Sequence, residues 1–118
     1  MIPKIIHQTF ETKNKPVGMA KACESWRVNN HDYVYLFYDA AERIDFIKEH
    51  FEKPVLTAYD TILPGAFKAD LFRYCVLYIR GGIYIDSDTI CLTSIDKYIN
   101  SNDKLVGVRD DPMAKKWL

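Results

Sequence analysis

The run from Leu71 to Asp88 constrains this chain most. Leu71, Phe72, Tyr74, Cys75, Val76, Leu77, Tyr78 and Ile79 make a stretch that is apolar almost all round. Pro64 suits the first turn of a helix, and Gly81-Gly82 suits a C-terminal cap, so a helix is expected from Pro64 to about Arg80. A helix apolar on every side belongs inside a domain. Ile83 to Ile85 then reads as a short hydrophobic strand, which leads directly into Asp86-Ser87-Asp88.

The rest of the chain alternates in the manner of an α/β domain. Lys4 to Phe10 reads as a first buried strand, and Glu11 to Pro16 as a loop. Val17 to Asn29 reads as a helix, with Met19, Ala22, Cys23 and Trp26 recurring at three- and four-residue steps. Tyr33 to Tyr38 is a second, aromatic strand. Asp39 is placed to cap a helix from Ala40 to Phe51, whose apolar face carries Ile44, Ile47 and Phe51. Glu52 to Leu63 is ambiguous, a loop with a short helical turn. After the acidic turn, Thr89 to Leu92 continues extended, Ser94 to Ile99 forms a short helix, and Leu105 to Val108 a last strand. No linker or repeat divides the 118 residues, so one domain, 1–118, is expected.

Sixteen basic residues balance sixteen acidic ones, and the longest basic run is Lys115-Lys116. That argues against a nucleic-acid partner. The three cysteines, Cys23, Cys75 and Cys91, are widely spaced among apolar neighbours and read as buried thiols, not as a disulfide framework or zinc site. Met1-Ile2-Pro3-Lys4 opens directly onto a strand, with no charged-then-apolar leader, and no apolar run has the length of a transmembrane segment. The resulting expectation is a reducing, cytoplasmic setting.

Eleven aspartates give about one Asp-x-Asp pair by chance, so context must carry the pair at 86 and 88. It follows a hydrophobic strand, and ligands of α/β domains collect beyond the carboxyl ends of such strands. Two carboxylates at i and i+2 of an extended segment point the same way, roughly 7 Å apart along the backbone. A hard cation, Mg²⁺ or Mn²⁺, relieves their repulsion, with substrate phosphates and water completing its shell. The alternative is a solvated acidic turn. Asp70 and Arg73, three apart on the apolar helix, share one face. They either pair with each other or project together into the cleft that holds Asp86, where Arg73 holds phosphate or orients a carboxylate and Asp70 meets sugar hydroxyls.

Several blocks, taken together, resemble a known family. Ile2-Pro3-Lys4-Ile5-Ile6-His7-Gln8-Thr9-Phe10 is similar to the opening of the sugar-transferring domain of glycosyltransferase family 32, which includes α-mannosyltransferases and capsular polysaccharide enzymes. Ser25-Trp26, Asp32-Tyr33 and Phe37-Tyr38-Asp39 resemble its next stretch. Ala69-Asp70-Leu71-Phe72-Arg73-Tyr74, Leu77-Tyr78, Gly81-Gly82-Ile83-Tyr84 and Asp86-Ser87-Asp88 resemble its signature block. The resemblance implies an α/β, GT-A-like, Rossmann-type sandwich and transfer of a sugar from a nucleotide-diphosphate donor to a glycan or other hydroxyl acceptor. It also implies dependence on Mn²⁺ or Mg²⁺ and retention of anomeric configuration.

By the same resemblance, Asp88 is a metal ligand and Asp86 reaches the donor and can share the metal. Asp70 and Arg73 contact the donor sugar, and Tyr84 belongs to the donor site. His7, Gln8 and Phe10 line the nucleotide pocket. Phe10 stands where the family usually has Trp, and a smaller ring offers less stacking area. His7 is equally readable as a buried, hydrogen-bonded strand residue. Family domains are longer than this chain, so the expectation is the N-terminal, donor-binding part, truncated at its C-terminal end. An apolar patch near Val106, Val108 and Trp117, open to a protein partner or self-association, goes with it. The rival readings are a donor-binding remnant without turnover and, more distantly, a nucleotidyl- or phosphotransferase, which would lack a phosphate-cradling glycine loop.

Overall fold

The computed structural model describes residues 1–62, 65–100 and 102–104. Three strands, β1 (Ile5–Thr9), β2 (Val34–Tyr38) and β3 (Ile83–Tyr84), form a parallel sheet in the order β2-β1-β3. Four helices, α1 (Val17–Val28), α2 (Ala40–His50), α3 (Lys53–Thr61) and α4 (Gly65–Arg80), alternate with them. This is the α/β arrangement expected of the donor-binding part of a GT-A-like sandwich.

Parallel strands need crossovers, and here each crossover is helical. β1 is central, with Ile5 to Thr9 opposite Val34 to Tyr38 on one side, and Ile6 and His7 opposite Ile83 and Tyr84 on the other. Its side chains alternate between faces. His7 and Thr9 bond toward Tyr38 and Arg43, whereas Gln8 bonds to Tyr35. The main core lies on the first face, where Tyr38, Phe46, Ile47, Tyr59, Phe72, Cys75 and Val76 pack together. Asp39 begins α2 with a complete capping box: its carboxylate accepts from the Glu42 N–H at 2.8 Å, and the Glu42 carboxylate accepts from the Asp39 N–H at 3.2 Å. Such caps contribute about 1 kcal/mol.

Several expectations need correcting. Residues 52–63 contain a nine-residue helix, α3, started by Pro54 in its first turn. Tyr59 is buried and Val55 and Leu56 pack partly buried against the core, so the three- and four-residue spacing was present, over too short a run to be read as a helix. The inner face of α2 carries Arg43, Phe46 and Ile47; Ile44 and Phe51 are only partly buried. α4 is not enclosed: Phe72, Cys75 and Val76 face the core, while Phe67, Tyr74 and Tyr78 are exposed. Ile85 lies outside the strand, residues 89–92 form neither helix nor strand, and the last short helix is a 3₁₀ turn at Ile95–Lys97. All three cysteines are buried and free. Pro64, the strand expected at Leu105 to Val108 and the patch near Val106, Val108 and Trp117 lie outside the described residues. Among the described residues no helix is long and apolar enough to cross a membrane.

Gly81 and Gly82 close α4 with φ of +67° and +95°. A β-carbon at Gly82 would stand 2.6 Å from the Ile5 carbonyl oxygen and 3.2 Å from His7 Nε2. Only glycine lets β3 lie this close to β1 at such a φ. His7 sits fully buried beneath this turn. Its Nε2 is 2.8 Å from the Gly81 carbonyl oxygen and its Nδ1 is 3.0 Å from the Tyr38 hydroxyl. A carbonyl can only accept, so Nε2 carries the proton and Nδ1 accepts from Tyr38. The Tyr38 oxygen in turn accepts from Arg80 at 3.0 Å.

Burial pushes the His7 pKa below its ordinary value near 6.5; the bond to Gly81 opposes this and the Arg80 charge adds to it. Below about pH 6.5 the unfolded chain takes a proton that the folded chain refuses, so stability falls with pH by up to about 1.4 kcal/mol per unit. Above that value both forms are neutral and the slope vanishes. His7→Gln keeps an amide donor for Gly81 and removes the titration. Urea unfolding at about pH 7.5 and about pH 5.5 should show a smaller loss of stability in the variant than in the parent. Equal losses would contradict a neutral, buried His7.

Candidate functional site

Beyond the carboxyl ends of β1 and β3 lies a cleft of about 610 Å³. Thr9, Phe10 and Glu11 from the end of β1, Met19 from α1 and Arg43 from α2 form one wall. Ala69, Asp70 and Arg73 from α4, with Tyr84 and Asp86-Ser87-Asp88, form the other. A smaller cleft of about 400 Å³, lined by Arg27, Val28, His31, Tyr33 and Tyr35, shares none of these residues and has no carboxylate in its lining.

The acidic segment is a tight turn and not the extended run expected. The Thr89 N–H donates to the Asp86 carbonyl at 3.3 Å and the Thr89 hydroxyl donates to the same oxygen at 2.7 Å. Asp86 and Asp88 nevertheless line the same cleft. Arg73 joins the acidic turn to α4: its Nη2 lies 3.0 Å from Asp86 Oδ1 and 3.4 Å from Asp70 Oδ1. Its guanidinium also sits over the Tyr84 ring, 4.8 Å from the centroid. Arg73 Nε is the buried side-chain nitrogen or oxygen that lacks a partner among the described residues. Burial, ahead of the neighbouring charges, pushes the Tyr84 hydroxyl up to about 12, so it stays protonated at neutral pH.

The opposite wall is built on Arg43, which is fully buried. Its Nε donates to the Tyr59 hydroxyl at 2.8 Å, Nη1 to the Thr9 hydroxyl at 2.8 Å, and Nη2 to Glu11 at 2.6 Å. Burial opposes its charge, but the bonds to Tyr59 and Glu11 outweigh it and hold the guanidinium more firmly protonated than usual. Four carboxylates (Glu11, Asp70, Asp86, Asp88) and two guanidiniums thus line the cleft. Arg43 engages Glu11, and Arg73 is shared by Asp70 and Asp86. Asp88 has no ion-pair or hydrogen-bond partner among the described residues.

Of the residues singled out in the sequence, the structure brings Phe10, Asp70, Arg73, Tyr84, Asp86 and Asp88 together in this cleft. Two others sit elsewhere. His7 lies under the glycine turn, both ring nitrogens engaged. Gln8 is buried beneath the acidic turn, donating to the Asp86 carbonyl and accepting from Tyr35. Asp70 and Arg73 are half-exposed on the cleft side of α4, not enclosed with it. Arg43 and Glu11 escaped notice. The available signal was a charge at position 43 in the stripe that continues through Phe46 and Ile47, because a charge in an apolar stripe needs partners.

The family described as a glycosyltransferase sugar-binding region containing the DXD motif matches residues 16–105. The chain is 29% identical to the initiation-specific alpha-1,6-mannosyltransferase of Candida albicans, an alignment that covers 98% of this chain and 34% of the relative. It is 37% identical to inositol phosphoceramide mannosyltransferase 3 of Schizosaccharomyces pombe, over 84% of this chain and 28% of the relative. With an uncharacterised glycosyltransferase of Acanthamoeba polyphaga mimivirus it shares 35% identity, over 84% of this chain and 40% of the relative. The chain therefore spans about a third of the length of the curated relatives it matches. No solved structure matches it.

The two arginines differ in their expected effect on stability. Arg43→Met removes two buried hydrogen bonds and one part-buried one of a charged donor and should cost about 3 kcal/mol or more. Asp70→Asn loosens a half-exposed pair whose geometry is long and should cost less than about 1 kcal/mol. Chemical unfolding of both variants checks this, and equal costs would contradict the contrast between a buried and an open wall.

Proposed function

The chain belongs to the glycosyltransferase family with the DXD-containing sugar-binding region, and on that footing we propose that it forms the donor site of an enzyme moving a sugar from a nucleotide-diphosphate donor to an acceptor hydroxyl. One observation carries the reading: Arg73 draws Asp70 and Asp86 together in the cleft in which Asp88 stands without a partner among the described residues. The names of the relatives favour mannose as the sugar, and one of them favours an inositol-bearing lipid as the acceptor.

The donor set suits a hard divalent cation. Asp86 and Asp88 offer carboxylate oxygens, and no cluster of three potential protein ligands occurs among the described residues. Mg²⁺ and Mn²⁺ bind in this manner, with one or two carboxylates and the substrate's phosphates. When bound there, held by Asp88 and Asp86, the ion neutralises the diphosphate leaving group. The protein supplies the rest. Arg73 donates to donor oxygens from the guanidinium edge that meets Asp70 and Asp86. Asp70 accepts from sugar hydroxyls. Phe10 offers a ring for the base at the β1 end of the cleft. Retention of the anomeric configuration belongs to this reading through the family.

A thermal-shift screen of UDP-, GDP- and CMP-sugars, with and without Mn²⁺, tests this. A donor at about 100 times its dissociation constant should add about 2.7 kcal/mol, and only when Mn²⁺ is present. Asp88→Asn should erase that gain while leaving the free chain as stable as before, because neutralising one of two crowded carboxylates relieves repulsion. An unchanged, metal-dependent shift in Asp88→Asn would refute the assignment. Release of nucleoside diphosphate from the stabilising donor then separates transfer from binding alone.

A further inference from the structure

The acidic turn has little sheet to hold it. β3 is two residues long. The Ile85 N–H still donates to the His7 carbonyl at 3.0 Å, but among the described residues the backbone from Asp86 to Cys91 makes no bond to the backbone of a strand. It also carries two like charges two residues apart, whose repulsion favours opening the turn.

Side chains take the place of the missing ladder. Gln8 Nε2 donates to the Asp86 carbonyl at 3.2 Å. Cys23 Sγ donates to the Ser87 carbonyl at 3.5 Å, Trp26 Nε1 to the Thr89 carbonyl at 2.9 Å, and Asn29 Nδ2 to the Cys91 carbonyl at 3.2 Å. The partners advance in step: every third residue along α1 meets every second carbonyl along the segment. Three residues is nearly one helical turn, so these donors descend one side of α1. Gln8 is itself oriented. The Tyr35 hydroxyl donates to its Oε1 at 2.7 Å, which forces its nitrogen toward Asp86. Neither Gln8 nor Trp26 lines the cleft, so each acts on it only through the backbone it holds.

We propose that Gln8 and Trp26 are positioning residues for the acidic turn. They fix the carbonyls of Asp86 and Thr89, one on each side of Asp88, so that both carboxylates keep their spacing and direction before a metal and a diphosphate arrive. This rests on the donor-site reading above. It also gives a purpose to the Ser25-Trp26 pair, which the cleft does not use. Trp26 acts by its indole N–H, and the buried Gln8 by its amide nitrogen.

The test uses two variants of the described chain. Trp26→Phe keeps an aromatic ring and loses the N–H; Gln8→Leu keeps the volume and loses the amide. Calorimetric titration with GDP and with UDP, each in Mn²⁺ and again in EDTA, gives the metal-dependent part of the affinity as a ratio. Circular dichroism monitors the fold. Loss of groups that orient metal ligands typically weakens metal binding about 10- to 100-fold, and that is the expected fall in the Mn²⁺/EDTA ratio, with affinity in EDTA unchanged. If Gln8→Leu does not fold, Trp26→Phe decides alone. A ratio within about twofold of the parent in Trp26→Phe overturns the proposal. So does an equal fall in Mn²⁺ and in EDTA, or unfolding of both variants, since each marks a general structural role. A parent whose binding is indifferent to Mn²⁺ fails the donor-site reading itself, a result distinguishable from the others.

Discussion

At Gly82 the backbone runs so near β1 that a β-carbon would meet the Ile5 carbonyl oxygen at 2.6 Å. Much of the molecule follows from that approach. It brings β3 into parallel register with β1, opposite Ile6 and His7. It places the Gly81 carbonyl where the buried imidazole of His7 can donate to it, and it ends α4 so that Arg80 reaches Tyr38. The chain then leaves β3 at its carboxyl end with Asp86 already beside Arg73. The acidic turn is delivered to the cleft by a backbone contact that only glycine permits at this φ.

Charge is handled differently on the two walls. Arg43 is enclosed and fully engaged by Tyr59, Thr9 and Glu11, which fastens the end of β1 to α2 and α3. Arg73 is half-exposed, stacked on Tyr84 and divided between two carboxylates, with one N–H unpartnered. The first arrangement is rigid scaffolding. The second is a cation held among acids at an open surface, and bonds in such half-exposed pairs are weak.

Much of this was legible in the sequence because it rests on local chemistry. The Asp39 cap, the glycine stop after α4, the strand before the acidic turn and the inward cysteines each follow from neighbours in the chain. The cleft residues Asp70, Arg73, Tyr84, Asp86 and Asp88 were drawn together by the family resemblance of one contiguous block, since spacing alone left Asp70 and Arg73 free to serve only each other. What stayed hidden depends on contacts distant in sequence. Arg43 looks solvent-facing until Thr9, Glu11 and Tyr59 are brought round it. α3 is nine residues long, so the spacing of Val55, Leu56 and Tyr59 covers too short a run to stand out. The apolar flank of α4 suggested enclosure, although Tyr74 and Tyr78 are 69% and 82% exposed. His7 and Gln8, adjacent to the cleft in sequence, are turned beneath it by the pleat and by bonds to Gly81 and Tyr35.

The central claim is that a divalent cation and a diphosphate meet at Asp86 and Asp88. Manganese reports its own position, because it broadens the nuclear magnetic resonance signals of amides near it. Adding Mn²⁺ and a nucleoside diphosphate to the isotopically labelled chain should erase the amide signals of Asp86 to Thr89 first. Those of Ala69, Asp70 and Arg73 and of Phe10 and Glu11, which line the same cleft, should follow. Broadening centred on the other cleft, at Arg27 to Tyr35, or spread evenly over the surface carboxylates, would contradict the claim.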